Sequence, residues 1–188
     1  RMGMCLFLML TLCGPCPVVA AHPIDISRVP ITIRQIANET ELVRSSDLIV
    51  EAELVAEPSS RPTGRTVEGR AILHYAQTAI VQNVLKGPQG QSDVQLVTSG
   101  LDPVPEAQNP LNRQYTGPLA EGSYILFLKK VHGADHYYTL NGGWQGVYPL
   151  HNGVSIALEE GGFPFLHGLT VPQMGERIHQ LLASRRFF

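Results

Sequence analysis

The chain has 188 residues, 44% of them hydrophobic and 16% charged, with a formal net charge of -2. Such a length and apolar content suit one domain with a real hydrophobic core and exclude a wholly disordered chain. A charge this close to zero leaves no basic footprint, so no nucleic-acid partner is expected.

Met4 to Leu12 form a nearly unbroken apolar run, and Val19-Ala20-Ala21 supplies small residues where a leader peptidase cuts. Residues 1–21 therefore read as a signal peptide and 22–188 as a single secreted or periplasmic domain beginning at His22. Gly14, Pro15 and Pro17 interrupt a run already shorter than the roughly 20 residues of a membrane span. No stable membrane insertion is expected after leader removal. All three cysteines, Cys5, Cys13 and Cys16, fall in this segment. Leu12 and Pro15 just before Cys13 and Cys16 fit lipoprotein processing badly. Once the leader is cut, the domain holds neither a disulfide nor a thiol nucleophile.

Ile24, Ile26, Val29, Ile31 and Ile33 give residues 23–36 a β-like pattern, which Pro23 and Pro30 confine to an edge or to irregular structure. Asn38 with Glu39 and Glu41 predicts an N-cap and an acidic first turn, opening a short helix to about Ser45. Asn38-Glu39-Thr40 is also a glycosylation sequon in any source that glycosylates secreted proteins. Residues 48–57 alternate, with Leu48, Val50, Ala52, Leu54 and Ala56 on one face and Glu51, Glu53 and Glu57 on the other, the mark of a half-buried strand. Residues 58–69 read as a polar loop. A strand from about Arg70 to Leu85 is long enough to require a bulge or sharp bend, as in small closed barrels. Residues 93–98 make a short strand, and the proline-rich stretch 101–122 a long ordered loop. Tyr124 to Leu128 is continuously apolar and reads as a central strand. Hairpin pieces follow at residues 137–140, 146–150 and 154–158, parted by Asn141-Gly142-Gly143 and Asn152-Gly153. A closing helix over about 171–184 carries a capping box at Thr170 and Gln173 and an apolar stripe of Val171, Met174, Ile178, Leu181 and Leu182. Arg185 and Arg186 suit its negative end.

His132 and His136 flank Gly133-Ala134-Asp135, two imidazoles and a carboxylate that could serve a metal, in a turn where polar residues are expected anyway. A mature N-terminal His22 would offer its amine and imidazole to copper, given a second histidine brought close by the fold from among His74, His132, His136, His151 and His167. Glu51 and Glu53 share a strand face with Cβ atoms roughly 7 Å apart, a spacing a carboxylate pair for glycoside hydrolysis would use. That spacing also arises on any solvent face of a strand. Gly153-Val154-Ser155-Ile156-Ala157 lacks the final glycine of a nucleophile elbow and any strand–turn–helix around it. Tyr137, Tyr138, Trp144 and Tyr148 cluster near the C-terminal hairpins, and Tyr138, Trp144 and Tyr148 are the binding residues the sequence nominates, for a sugar or a protein.

Three stretches stand out together: Ser46-Asp47-Leu48-Ile49-Val50-Glu51-Ala52-Glu53-Leu54, Ala79-Ile80-Val81-Gln82-Asn83-Val84-Leu85-Lys86-Gly87, and Gly122-Ser123-Tyr124-Ile125-Leu126-Phe127-Leu128. Over Ser46 to Lys130 they resemble the netrin-like module, the OB-type barrel of tissue inhibitors of metalloproteinases, and most of all its cysteine-free bacterial secreted versions of unassigned role. The inhibitors act through an N-terminal cysteine and a disulfide frame, which residues 22–188 lack. The resemblance implies a fold and a binding role, not protease inhibition.

The resulting expectation is a mostly β, OB-like closed or partly open barrel with a short N-terminal helix and a C-terminal amphipathic helix. Functionally it is an exported non-enzymatic binding module, without cofactor, for a protein or a cell-surface polymer such as a polysaccharide. The alternative is a copper- or zinc-binding protein using His22 or the His132/His136 loop.

Overall fold

Apolar alternation closes the molecule into a barrel. The computed structural model describes residues 24–55, 57–159 and 161–184. Residues 1–21, where a leader is expected, and His22, Arg185 and Arg186 lie outside them. In β1 (Leu48–Leu54) the side chains of Leu48, Val50, Ala52 and Leu54 point inward, where they meet Ala79, Val94, Leu96, Leu126 and Leu128. Those partners come from β3 (Arg70–Lys86), β4 (Asp93–Asp102) and β5 (Gly122–Lys130). The fifth stave is β6 (Tyr137–Leu140), which inserts between β4 and β5. The strand order β1-β3-β4-β6-β5 closes because β5 pairs back onto β1 from Leu48↔Leu128 to Leu54↔Gly122. Every pairing is antiparallel except β4 with β6. This is an OB-like barrel. Two register shifts in the β1–β3 ladder supply the bend that the length of β3 called for.

One side of the barrel carries a second apolar layer. Ile49, Ile125 and Phe127 alternate out of the barrel and are covered by Leu42 and Val43 of α1 (Glu39–Ser45) and Met174 and Ile178 of α2 (Val171–Ala183). The Asn38 side chain accepts the Glu41 N–H, and Lys86 Nζ donates to the carbonyls of Val43 (2.8 Å), Arg44 (3.0 Å) and Ser46 (2.5 Å) at the other end of α1. Each end of a helix too short to stand alone thereby gains side-chain partners. In α2, Gln173 Oε1 accepts from the Thr170 N–H at 2.9 Å. Leu182 is exposed and does not join the stripe. None of the helices among the described residues is long and apolar enough to cross a membrane.

Several segments differ from expectation. Residues 59–67 are not a loop but β2 (Ser59–Val67), folded back on β3 through a tight turn at Glu68 and Gly69, whose φ angles are 46° and 75°. Most of its residues are exposed, so no apolar alternation marks it; backbone pairing holds it, helped by Thr63 Oγ1 donating to the Ile72 carbonyl at 2.9 Å and by Val67 packed against Ile72, Leu101 and Leu111. Residues 24–36 form no strand: a 3-10 turn (Ile26–Arg28) is followed by extended chain whose apolar side chains pack onto the barrel instead of pairing in a ladder. Strand β4 runs on to Asp102, opposite Ala71. The loop after it contains a 3-10 turn (Pro110–Arg113) and is anchored by the buried Gln77, whose amide pairs with both N–H and C=O of Leu119 at 2.8 Å each. The last hairpin is shorter than its pattern, with β7 (Val147–His151) against β5 and β8 reduced to Val154–Ser155.

Candidate functional site

At the open end of the barrel, where β5 turns into β6, lies a solvent-open depression of about 850 Å³. The turn is shaped by backbone chemistry. Val131 N–H donates to the Tyr137 carbonyl at 2.9 Å, Gly133 adopts φ 74°, and His136 itself sits in the left-handed region at φ 66°. The result is a loop that leaves His132, Asp135 and His136 exposed and turns Val131 and Ala134 inward. The floor comes from two other elements: Asp47 at the entry to β1, and Gln91 in the β3–β4 connection. Asp47 is fixed by the Lys130 N–H at 2.9 Å and Lys129 Nζ at 3.0 Å.

Tyr138 links the depression to the core. Its ring belongs to the barrel interior and is 3% exposed, while its hydroxyl reaches the depression and accepts from Gln91 Nε2 at 3.2 Å. Gln91 Oε1 is buried without a partner. A buried acceptor left unpaired costs free energy until something donates to it. Lys130 and Asp135 form an ion pair at 2.8 Å. Their shared hydrogen bond, helped by their opposite charges, holds the Asp135 carboxyl below and the Lys130 ammonium above their ordinary ranges.

The nominated residues divide between places. Tyr138 comes together with His132 and His136 around the depression. Tyr148 does not: it is fully buried in the layer under the helices, 5.5 Å ring to ring from Phe127, with its hydroxyl accepting the Phe163 N–H at 3.0 Å. Burial pushes its phenol far above the usual range. Trp144 is half-buried against the barrel core and donates Nε1–H to the Asn112 carbonyl at 2.8 Å. Ser155 is buried, its hydroxyl spent on the Leu166 carbonyl and the Leu169 N–H. Glu51 meets Asn83 Nδ2, and Glu53 is exposed. Among the described residues, no group of three or more His, Cys, Asp or Glu side chains could hold a metal ion.

Asp47, Gln91 and Lys130 carry no sequence signal of a site, because each is an ordinary polar residue beside a turn. Gln145 also escapes the sequence. Its buried amide pairs with the N–H (2.8 Å) and C=O (2.9 Å) of Ile36 and so fixes the segment leading into α1. Neighbouring glycines make room: a Cβ on Gly142, which has φ 74°, would lie 2.7 Å from Ile36 Cγ1. A scan against protein-family models gives no match, and a search of curated proteins finds no similar one.

Proposed function

We propose that the protein is an exported, non-enzymatic binding module of netrin-like type that holds a neutral, hydroxyl-rich polymer in the depression beside the β5–β6 loop. The unpaired Gln91 Oε1 next to the Tyr138 hydroxyl carries this reading: once the half-buried Gln91 side chain turns outward, a ligand hydroxyl can donate to the one and exchange hydrogen bonds with the other. In OB-type barrels the loop between the fourth and fifth barrel strands is a recurrent place for oligosaccharides and oligonucleotides, an analogy of fold. Here that loop is residues 131–136. The net charge of -2 weighs against the nucleic acid.

Charge and apolarity narrow the choice between polymer and protein. Around the depression Asp47 and Asp135 face Lys130, so the rim selects neither strong anions nor strong cations. None of the large exposed apolar residues, Val55, Ile80, Val104, Ile156, Phe165 and Leu182, lines it. Protein interfaces centre on apolar and aromatic anchors, and hydroxylated chains do not need them. Binding without turnover is supported by the carboxyls. Glycoside hydrolysis needs one carboxyl kept protonated near neutral pH, whereas Lys130 holds Asp135 ionised.

Calorimetric titration of the purified protein with neutral hexasaccharides, chitohexaose and cellohexaose, tests the reading. Saturable binding to at least one, weakened about tenfold or more by Gln91→Ala, supports it, because one lost site hydrogen bond to a desolvated group is worth roughly that factor. Binding unaffected by Gln91→Ala, or none to either sugar, contradicts it.

A further inference from the structure

The outer face of β3 and β4 is occupied by the chain itself. From β3 it presents Ala76 and His74, and from β4 Val97 and Ser99. Ile24, Ile26, Val29 and Ile31 lie over it in one apolar cluster with Val97, Ala76, Tyr137, Val131 and Ala134. Under this strap His74 is fully buried. Its Nδ1 is 2.8 Å from the Ile26 carbonyl, a geometry that places the ring proton on Nδ1, donating to that carbonyl. Nε2 is buried with no partner.

We propose that residues 24–31 are a displaceable strap latched by neutral His74, and that protonation of His74 releases the strap and uncovers the outer face of β3 and β4. A second proton must go on Nε2, which is buried without a hydrogen-bond partner while the strap is docked, so the charged ring is costly there. Lifting the strap opens the ring to solvent and relieves that cost. The two halves of the N-terminal segment differ in their hold. Ile36 is clamped at both polar atoms by Gln145, and Ile33 packs where Gly143 has no side chain, whereas residues 24–31 have His74 as the buried polar group gripping their backbone. Release therefore stops short of Ile33.

The surroundings favour the same direction. Arg61 is the ladder partner of His74 on β2, and Arg65 on that strand repels a second positive charge; burial and Arg65 both hold the imidazole below its ordinary range, against the Ile26 bond. Across the sheet stands neutral Ser99. On the strap itself Asp25 pairs with Arg28 at 3.3 Å and accepts from Ser27, which keeps its carboxyl below the ordinary range. Asp25 thus stays ionised where histidine titrates. From the β5–β6 side the titratable groups are Tyr137 and the exposed His132, Asp135 and His136. The docked state binds fewer protons than the released one. Docking is at full strength above about pH 6.5, the ordinary histidine value, and weakens as pH falls below it. The strap and its latch are present whatever fills the depression.

Hydrogen exchange of the full chain, corrected for intrinsic rates, reads the latch at Arg28 and Val29, whose N–H groups bond within the strap. Their protection should fall about tenfold or more between about pH 7.5 and about pH 5, while that of Ile36 holds. His74→Asn, which can donate to the Ile26 carbonyl but does not titrate, should remove the pH dependence. Unchanged protection in the wild-type chain overturns the proposal without any variant, and so does an equal loss in His74→Asn. Tryptic cleavage after the exposed Arg28 gives the second readout, faster at the lower pH relative to a peptide standard if the strap releases.

Discussion

At the scale of single residues, three side-chain amides do work that regular secondary structure does elsewhere. Gln77 and Gln145 each pair with both backbone polar groups of one residue, Leu119 and Ile36, and Asn141 Nδ2 donates to Ser45 Oγ (2.8 Å) and Ser46 Oγ (2.9 Å) at the end of α1. Each is buried, so truncation strands backbone groups away from water. The tightest spot is Gly146. A Cβ there would sit 2.5 Å from the Asn141 carbonyl oxygen and 2.9 Å from that of Phe127, both backbone atoms that cannot rotate away. Gly146→Ala should cost about 2 kcal/mol or more, read as a lower denaturant midpoint at unchanged slope. An unchanged midpoint would mean that β5 and β6 separate at little cost.

At the scale of elements, the apolar pattern decided what the sequence could reveal. Strands β1 and β3 and both helices were legible because each buries a regular face against the barrel or the outer layer, and β5 because it buries both faces as one apolar run. Strand β2 was not, since its backbone pairs while most of its side chains stay in water. The segment 24–36 misled in the opposite way: its isoleucines bury without any ladder. The site was hardly legible. The sequence nominated three aromatics near one another in the chain, but the sheet sends Tyr138 to the barrel interior and Tyr148 to the outer layer, leaving Trp144 half-buried against the barrel core. What completes the depression, Asp47 and Gln91, comes from distant parts of the chain. The same faces rank substitutions within α2. Ile178→Ala removes a fully buried side chain and should cost about 2–5 kcal/mol, whereas Leu182→Ala, at an exposed position, should stay within about 0.5 kcal/mol. Equal costs would mean the helix docks with a different face.

At the scale of the whole molecule, the described residues hold no cysteine, so the barrel and its outer layer owe their stability to packing and hydrogen bonds. The thermal midpoint should be the same with and without reducing agent; a drop of several degrees on reduction would show a disulfide among Cys5, Cys13 and Cys16 at work. Added zinc or copper should also leave the midpoint unmoved, whereas a metal held by His22 or by His132 and His136 would raise it by mass action. The barrel fixes where the polar depression lies, and the depression is where the binding reading is most exposed to failure. The decisive measurement is a nuclear magnetic resonance titration of the isotope-labelled protein with chitohexaose and cellohexaose. The account predicts saturable shifts centred on Gln91 and on the loop from Lys130 to Tyr138, with the Gln91 side-chain amide among the most affected signals. Shifts centred on Trp144 or the outer face of β3 and β4, or no shift with either sugar, would contradict it.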